Sequence, residues 1–200
     1  DLCMAQDKAK SQGQTDDAST AASEPKRWRI VTCGDAAGKS TLIAQIRAHA
    51  KADGHEDARD GLMAPDGLMA EHDAQSHSLA TEKRRFILAD SGGQTNDQNV
   101  VMMGTSADIA LVVVDADIGA TIETHRHAYS MALLGVRNVV LVVNKMDGVG
   151  YAQDAFDQIV ERFIAYVNEL DGPVVVDAVP VMAGQAENIA TRSTTMPWYE

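Results

Sequence analysis

Cationic side chains are in short supply: 17 Lys and Arg stand against 29 Asp and Glu, leaving a formal net charge of −12. A duplex nucleic-acid binder needs a basic face to neutralise phosphates, so this balance argues against nucleic acid as a partner. Aromatic residues are scarce at 4%, so a core has to be built from Val, Ile, Leu, Ala and Met. The two cysteines, Cys3 and Cys33, make neither a disulfide framework nor a clustered zinc site. A reducing compartment, the cytosol, is the expected location. No apolar run reaches the ~18 residues that a membrane-spanning helix needs, so no membrane partner is expected. Residues 1–23 lack a basic region followed by an apolar stretch, and no secretory leader is expected there.

What the chain does have fits one α/β domain. It has 200 residues, and 45% of them are hydrophobic. Residues 1–25 are polar, without apolar periodicity, and read as a flexible tail. The remainder, 26–200, reads as one nucleotide-binding domain. Short apolar runs at 30–33, 85–90, 109–115, 139–144 and 174–181 read as strands, the middle ones apolar throughout, as parallel strands covered on both faces are. Helical patterns at 42–52, 123–134 and 151–170 separate them. In the last of these Phe156, Ile159, Val160, Phe163 and Val167 share one side. Strands alternating with helices predict a doubly wound, mostly parallel sheet in a three-layer α/β/α arrangement. Residues 53–80 are polar, with Asp-Gly-Leu-Met-Ala occurring at 60–64 and again at 66–70, and read as a surface loop with some helix.

Three motifs carry chemistry. The first is Gly34-Asp35-Ala36-Ala37-Gly38-Lys39-Ser40-Thr41, between a predicted strand and helix. Glycine lets backbone wrap close to phosphate, the helix N-terminus offers unpaired N–H groups, Lys39 adds charge, and the Ser40 hydroxyl suits Mg²⁺. The common phosphate loop has four residues between its glycines, whereas three separate Gly34 from Gly38. The loop is one residue short, or Cys33 stands at the first-glycine position. The second motif is Asp90-Ser91-Gly92-Gly93, at a strand end, with the pattern in which an Asp holds Mg²⁺ through water and a Gly N–H senses the terminal phosphate. The third is Asn144-Lys145-Met146-Asp147, after a buried strand. Here a carboxylate at Asp147 would accept from the guanine N1–H and amine, a pair of donors that adenine lacks. Lys145 would cover the base with its stem, and Asn144 would brace the loop. The motifs follow one another at intervals of about fifty residues, each at the carboxyl end of a predicted strand, where open α/β sheets bind ligands. His125 and His127 are two apart on a predicted helix, on different faces, and are not expected to form a metal pair. The nine methionines read as core filler.

These stretches resemble a known family. The matching segments are Arg-Ile-Val-Thr-Cys-Gly at 29–34, Gly-Lys-Ser-Thr-Leu-Ile at 38–43, Asp-Gly-Leu-Met-Ala-Glu at 66–71, Thr-Glu-Lys-Arg-Arg-Phe-Ile-Leu-Ala-Asp at 81–90, Leu-Leu-Gly-Val-Arg-Asn-Val-Val at 133–140, Val-Asn-Lys-Met-Asp at 143–147 and Met-Pro-Trp-Tyr at 196–199. The sequence resembles the P-loop G domain of translation-factor-like GTPases, and among them the GTPase subunit of bacterial sulfate adenylyltransferase. The resemblance covers residues 27–200. The two β-barrel domains that follow the G domain in that family are not expected within these 200 residues.

The resemblance implies GTP or GDP with Mg²⁺ as cofactors, Ser40 and Asp90 at the metal, Lys39 and Gln94 in hydrolysis, and Gly93 at the terminal phosphate. It also implies Ala183 offering its N–H to the base, and the small ATP-using subunit as partner in sulfate activation. Gln94 replaces the family's usual His; a Gln there orients water in Ras-like enzymes. The stretch from Glu71 to Thr81 is shorter than the family's first switch and lacks its Gly-Ile-Thr. Ser76, Ser78 and Thr81 are the remaining hydroxyl candidates for the magnesium shell. The late base-contact motif reads Met182-Ala183-Gly184. The expectation is a GTPase domain with altered phosphate loop and first switch, or a nucleotide-binding module that hydrolyses weakly or not at all.

Overall fold

The computed structural model describes residues 26–35, 37–52, 75–80, 84–91, 97–170 and 174–199. The tail at 1–25, the Asp-Gly-Leu-Met-Ala pair, Ala36, Thr81, Gly93 and Gln94 lie outside these residues. Six strands form one sheet in the order β2-β3-β1-β4-β5-β6. They are β1 (Lys26–Gly34), β2 (Gln75–Ala80), β3 (Arg84–Asp90), β4 (Ile109–Asp115), β5 (Asn138–Asn144) and β6 (Val175–Pro180). Every pairing is parallel except β2 with β3.

The helices are α1 (Lys39–Ala52), α2 (Asp97–Gly104), α3 (Ile122–Leu133) and α4 (Gln153–Asn168). The Val-rich strands bury both faces because a helical layer covers each. On one side Val112, Val114, Leu141 and Val143 pack with Met131 of α3 and Phe156 and Phe163 of α4. On the other, Val113 and Val142 meet Leu42 of α1 and Val181. The expected three-layer, mostly parallel architecture is the one observed. In α4, Phe156, Ile159, Phe163 and Val167 are buried, and Val160 is partly so.

The sequence reading is corrected at β2. Gln75–Ala80 lies in the stretch expected to be loop and helix, yet it pairs antiparallel with β3, Ser76 opposite Ala89 and Ser78 opposite Ile87. Its residues carry little apolar pattern, so ladder hydrogen bonds from β3 supply what periodicity does not announce. Helix α2 was not anticipated either; its eight residues are too few to display a helical period.

This topology positions the site. Strand β1 sits between β3 and β4, and the chain winds outward from it in both directions. Its carboxyl end is therefore the switch point of the sheet, where a crevice opens. The loops after β1, β4 and β5 leave the sheet at this edge, where β3 also ends at Asp90.

Candidate functional site

The phosphate loop leaves β1 at Gly34, whose φ of +101° is closed to most side chains. A Cβ there would fall inside contact distance of the Val113 carbonyl oxygen, so β4 itself demands glycine. Helix α1 begins at Lys39, and its first intrahelical bond runs from Leu42 N to Gly38 O at 3.0 Å. The N–H groups just before Leu42 thus belong to the helix terminus, where an anion is favoured. Lys39 is buried, and its Nζ donates to Gly34 O at 2.9 Å and Asp35 O at 2.6 Å. Burial pulls its pKa below the ordinary value, and the carboxylate of Asp90 leads the charges that oppose this.

Beside it, Ser40 Oγ donates to Asp90 Oδ2 at 3.3 Å, and Thr32 Oγ1, which donates to Ala89 O at 3.0 Å, lies 3.4 Å from Asp90 Oδ1. Register explains the meeting, since Thr32 pairs with Asp90 across the β1–β3 ladder. A hydroxyl and a carboxylate close together next to a phosphate loop form the hard-oxygen set that Mg²⁺ takes, usually alongside waters and phosphate. The remaining described hydroxyl candidates lie on β2, beside the end of β3. Ser76 and Ser78 sit within β2, and Ser78 is buried.

The third motif follows β5. Asn144 is buried and bridges two loops. Its Nδ2 donates to Ala37 O at 2.7 Å, and its Oδ1 accepts from Ala183 N at 2.9 Å. That second bond engages the Ala183 amide, expected at the base, with Asn144. Lys145 adopts a left-handed conformation, φ +60°, unusual for a residue with a side chain and frequent at functional turns. A 3-10 turn, Met146–Val149, then places the exposed Asp147 at the rim. Gly38, Thr41, Asn144, Lys145, Asp147, Met182, Ala183 and Gly184 surround a cleft of about 230 Å³. A second cleft, about 490 Å³, lies across Lys145 and is bounded by Asp35, Ala37, Asp115 and Thr121.

Several contacts at this edge escaped the sequence reading. Asp115, at the end of β4, holds the Lys145 ammonium at 2.6 Å. Asp35 accepts hydrogen bonds from Thr121 and Thr124 of α3, and His127 Nδ1 accepts the Gly34 N–H at 3.1 Å. His127 thus faces the loop, while His125 stacks on Tyr166 with centroids 4.2 Å apart. No group of three or more His, Cys, Asp or Glu suited to a metal occurs among the described residues. A spacing of about ninety residues hides such contacts. The one local signal was Thr121-x-x-Thr124, a capping box.

A switch-point crevice bearing a phosphate loop, a Ser–Asp oxygen pair and an Asn-Lys-x-Asp turn defines a P-loop nucleotide-binding G domain. Residues 26–196 match the elongation factor Tu GTP binding domain. The chain belongs to that family, a family of GTP-binding domains. It is 33% identical to sulfate adenylyltransferase subunit 1 of Citrobacter koseri, over 86% of this chain and 41% of that protein. The chain therefore spans about two fifths of that relative's length. Among solved structures, it superposes on translation elongation factor SelB of Methanococcus maripaludis, in complex with the GTP analogue GppNHp, with TM-score 0.63 and 18% identity, over 81% of this chain and 31% of that one. On Sup35 complexed with GDP the TM-score is 0.61 with 25% identity, over 88% of this chain and 42% of that one. No described helix is long and apolar enough to cross a membrane.

Proposed function

We propose that residues 26–200 form a guanine-nucleotide switch module. It binds GDP and GTP with Mg²⁺ in the cytosol and turns GTP over slowly. The bridge made by Asn144 carries this reading: one buried side chain holds the phosphate loop at Ala37 and the Met182–Gly184 loop at Ala183, with Asp147 exposed beside them. In this arrangement the backbone amides at the start of α1 and the Lys39 ammonium bind phosphates. Asp147 reads the base, and Lys145 covers it. Ser40 and Asp90 hold Mg²⁺, which supplies charge neutralisation at the phosphates when bound. Gln94 orients water, and Gly93 senses the terminal phosphate.

Likeness to a sulfate adenylyltransferase subunit supports a place beside an ATP-using, sulfate-activating partner, to which this chain contributes nucleotide state and no sulfate chemistry. Co-elution with the small subunit of that enzyme on size exclusion, dependent on GTP, tests the partner. Titration with fluorescent GDP, competed by unlabelled GTP and ATP with and without Mg²⁺, tests the site itself. GTP should displace the probe and ATP should not; equal displacement by ATP overturns the assignment of Asp147.

A further inference from the structure

Asp35 is a loop residue whose carboxylate is engaged far from its own neighbourhood. Its Oδ1 accepts from Thr121 Oγ1 at 2.7 Å and its Oδ2 from Thr124 Oγ1 at 2.9 Å. A hydroxyl has one proton to give. Thr121 Oγ1 already accepts from Glu123 N at 3.2 Å and Thr124 N at 3.4 Å, and Thr124 Oγ1 accepts from Thr121 N at 3.2 Å. Each threonine therefore caps α3 with its lone pairs and spends its proton on Asp35. The carboxylate also sits at the positive end of the α3 dipole. One residue earlier, Gly34 N donates to His127 Nδ1 on the next turn of α3.

The other polar groups of the same two residues face Lys39. Gly34 O and Asp35 O both accept from its Nζ. Gly34 and Asp35 are thus gripped by α3 on one side and orient the Lys39 ammonium on the other. We propose that Asp35 is a positioning residue for the phosphate site: with Thr121, Thr124 and His127 it clamps the shortened loop to α3 and fixes where Lys39 presents its charge. The idea rests on the nucleotide-binding reading above, and it gives α3 a direct mechanical link to the phosphates.

Charge and position make opposite forecasts. Asp35 is an acid beside a phosphate site. Electrostatics alone has Asp35→Ala tighten phosphate binding by removing a like charge. The clamp has it loosen binding. Asp35→Asn removes the same charge but keeps one acceptor for a threonine hydroxyl and turns a donor toward the other oxygen, so it keeps part of the clamp.

The test measures GDP and GMP affinities of the full chain and both variants, because in the proposed site the loop would hold the β-phosphate that GMP lacks. It adds backbone amide exchange over residues 37–42 in nucleotide-free protein. The expected result is an approximately tenfold loss of GDP affinity in Asp35→Ala, in line with losing charge-assisted hydrogen bonds. GMP affinity should change by less than about twofold and loop exchange should be faster, and the GDP loss and the faster exchange should both be smaller in Asp35→Asn. Equal or tighter GDP binding in both variants overturns the clamp, as does a parallel loss for GDP and GMP. If wild-type protein binds no guanine nucleotide, the nucleotide reading fails by itself. The exchange comparison still decides the clamp: loop exchange that is faster in Asp35→Ala, and less so in Asp35→Asn, supports it, and unchanged exchange overturns it.

Discussion

The Lys145 ammonium lies 2.6 Å from Asp115 Oδ2, tying the turn after β5 to the end of β4. The carboxylate is itself oriented, because its Oδ1 accepts from Asp117 N at 3.0 Å. The pair stretches the lysine stem along the wall between the two clefts, both of which Lys145 lines. Its partner is nearly buried while Lys145 is half exposed, so the attraction is partly screened. Asp115→Ala should weaken GDP binding by roughly threefold, or about 0.7 kcal/mol, through a less ordered lysine. The gap from wild type should narrow at high salt. Paired titrations at low and high ionic strength check this; an undiminished gap in salt means that Asp115 acts in another way.

Base specificity is the sharpest consequence of placing Asp147 at the rim of the smaller cleft. A carboxylate accepts two hydrogen bonds in parallel, whereas an amide offers one acceptor and one donor. Asp147→Asn should cost about 1–3 kcal/mol in GDP affinity, the range for a polar group left mismatched once the base covers it. The variant should come to prefer xanthosine diphosphate, whose base edge carries an oxygen in place of the amine. Competition of GDP against xanthosine diphosphate on both proteins gives the answer, and an unchanged preference removes Asp147 from the base.

Gly34 ties stability to the site. Its positive φ and its closeness to β4 act together, since an added Cβ would overlap the Val113 carbonyl oxygen and sit 2.9 Å from the Val113 nitrogen. Backbone in the middle of a sheet cannot step aside. Gly34→Ala should therefore lose about 3 kcal/mol of folding stability or more, which lowers the melting temperature by roughly 6–12 °C for a domain of this size. Calorimetry of the two proteins measures it. A change of a degree or two means that the loop relaxes away from β4 more readily than the packing suggests.

Cys33 precedes that glycine and is wholly buried. Burial pushes its thiol up to about 12, with Lys39 opposing only in part. The thiolate is the reactive form, so almost none exists at neutral or mildly alkaline pH. Iodoacetamide at pH 8 should leave Cys33 unmodified in native protein and label it in urea, as read by peptide mass. Rapid native labelling would mean that β1 and its loop open frequently.

The core strands were readable because their side chains announce themselves. Ile109–Asp115 and Asn138–Asn144 are apolar nearly throughout and buried on both faces, and no competing pattern exists for such runs. The phosphate loop and the Asn144–Asp147 turn were readable because their residue types are tied to ligand chemistry. Gln75–Ala80 was not, since its alternation is weak and its strand state comes from pairing with β3. The clamp on Asp35 was hidden too, because nothing local links it to Thr124 across 89 positions. Ala183 shows a subtler loss: its place in the motif was legible, but which amide Asn144 would take depends on how the two loops approach.

Turnover follows from the hydroxyl inventory near the metal pair. Hydrolysis needs a closed magnesium shell, a positioned water and stabilised charge on the transferring group. Ser40 and Asp90 supply one side of that shell, 3.3 Å apart. In GTPases a switch hydroxyl closes the other side over the terminal phosphate, and this closure gives GTP its advantage over GDP. The sequence lacks the family's Gly-Ile-Thr between residues 71 and 81, and β2 fixes Ser76 and Ser78 in a ladder with β3, opposite Ala89 and Ile87. Ser78 is moreover buried and cannot swing out without breaking that edge. GDP and GTP should therefore bind within about threefold of each other, closer than the roughly tenfold gap that a switch contact of about 1.4 kcal/mol would give. Single-turnover hydrolysis should be slow, with weak dependence on Mg²⁺. Mixing excess protein with GTP and Mg²⁺ and following GDP by chromatography measures the rate. Fast turnover together with strong preference for GTP would show that a group outside β2 completes the shell, and the slow-switch reading would fall.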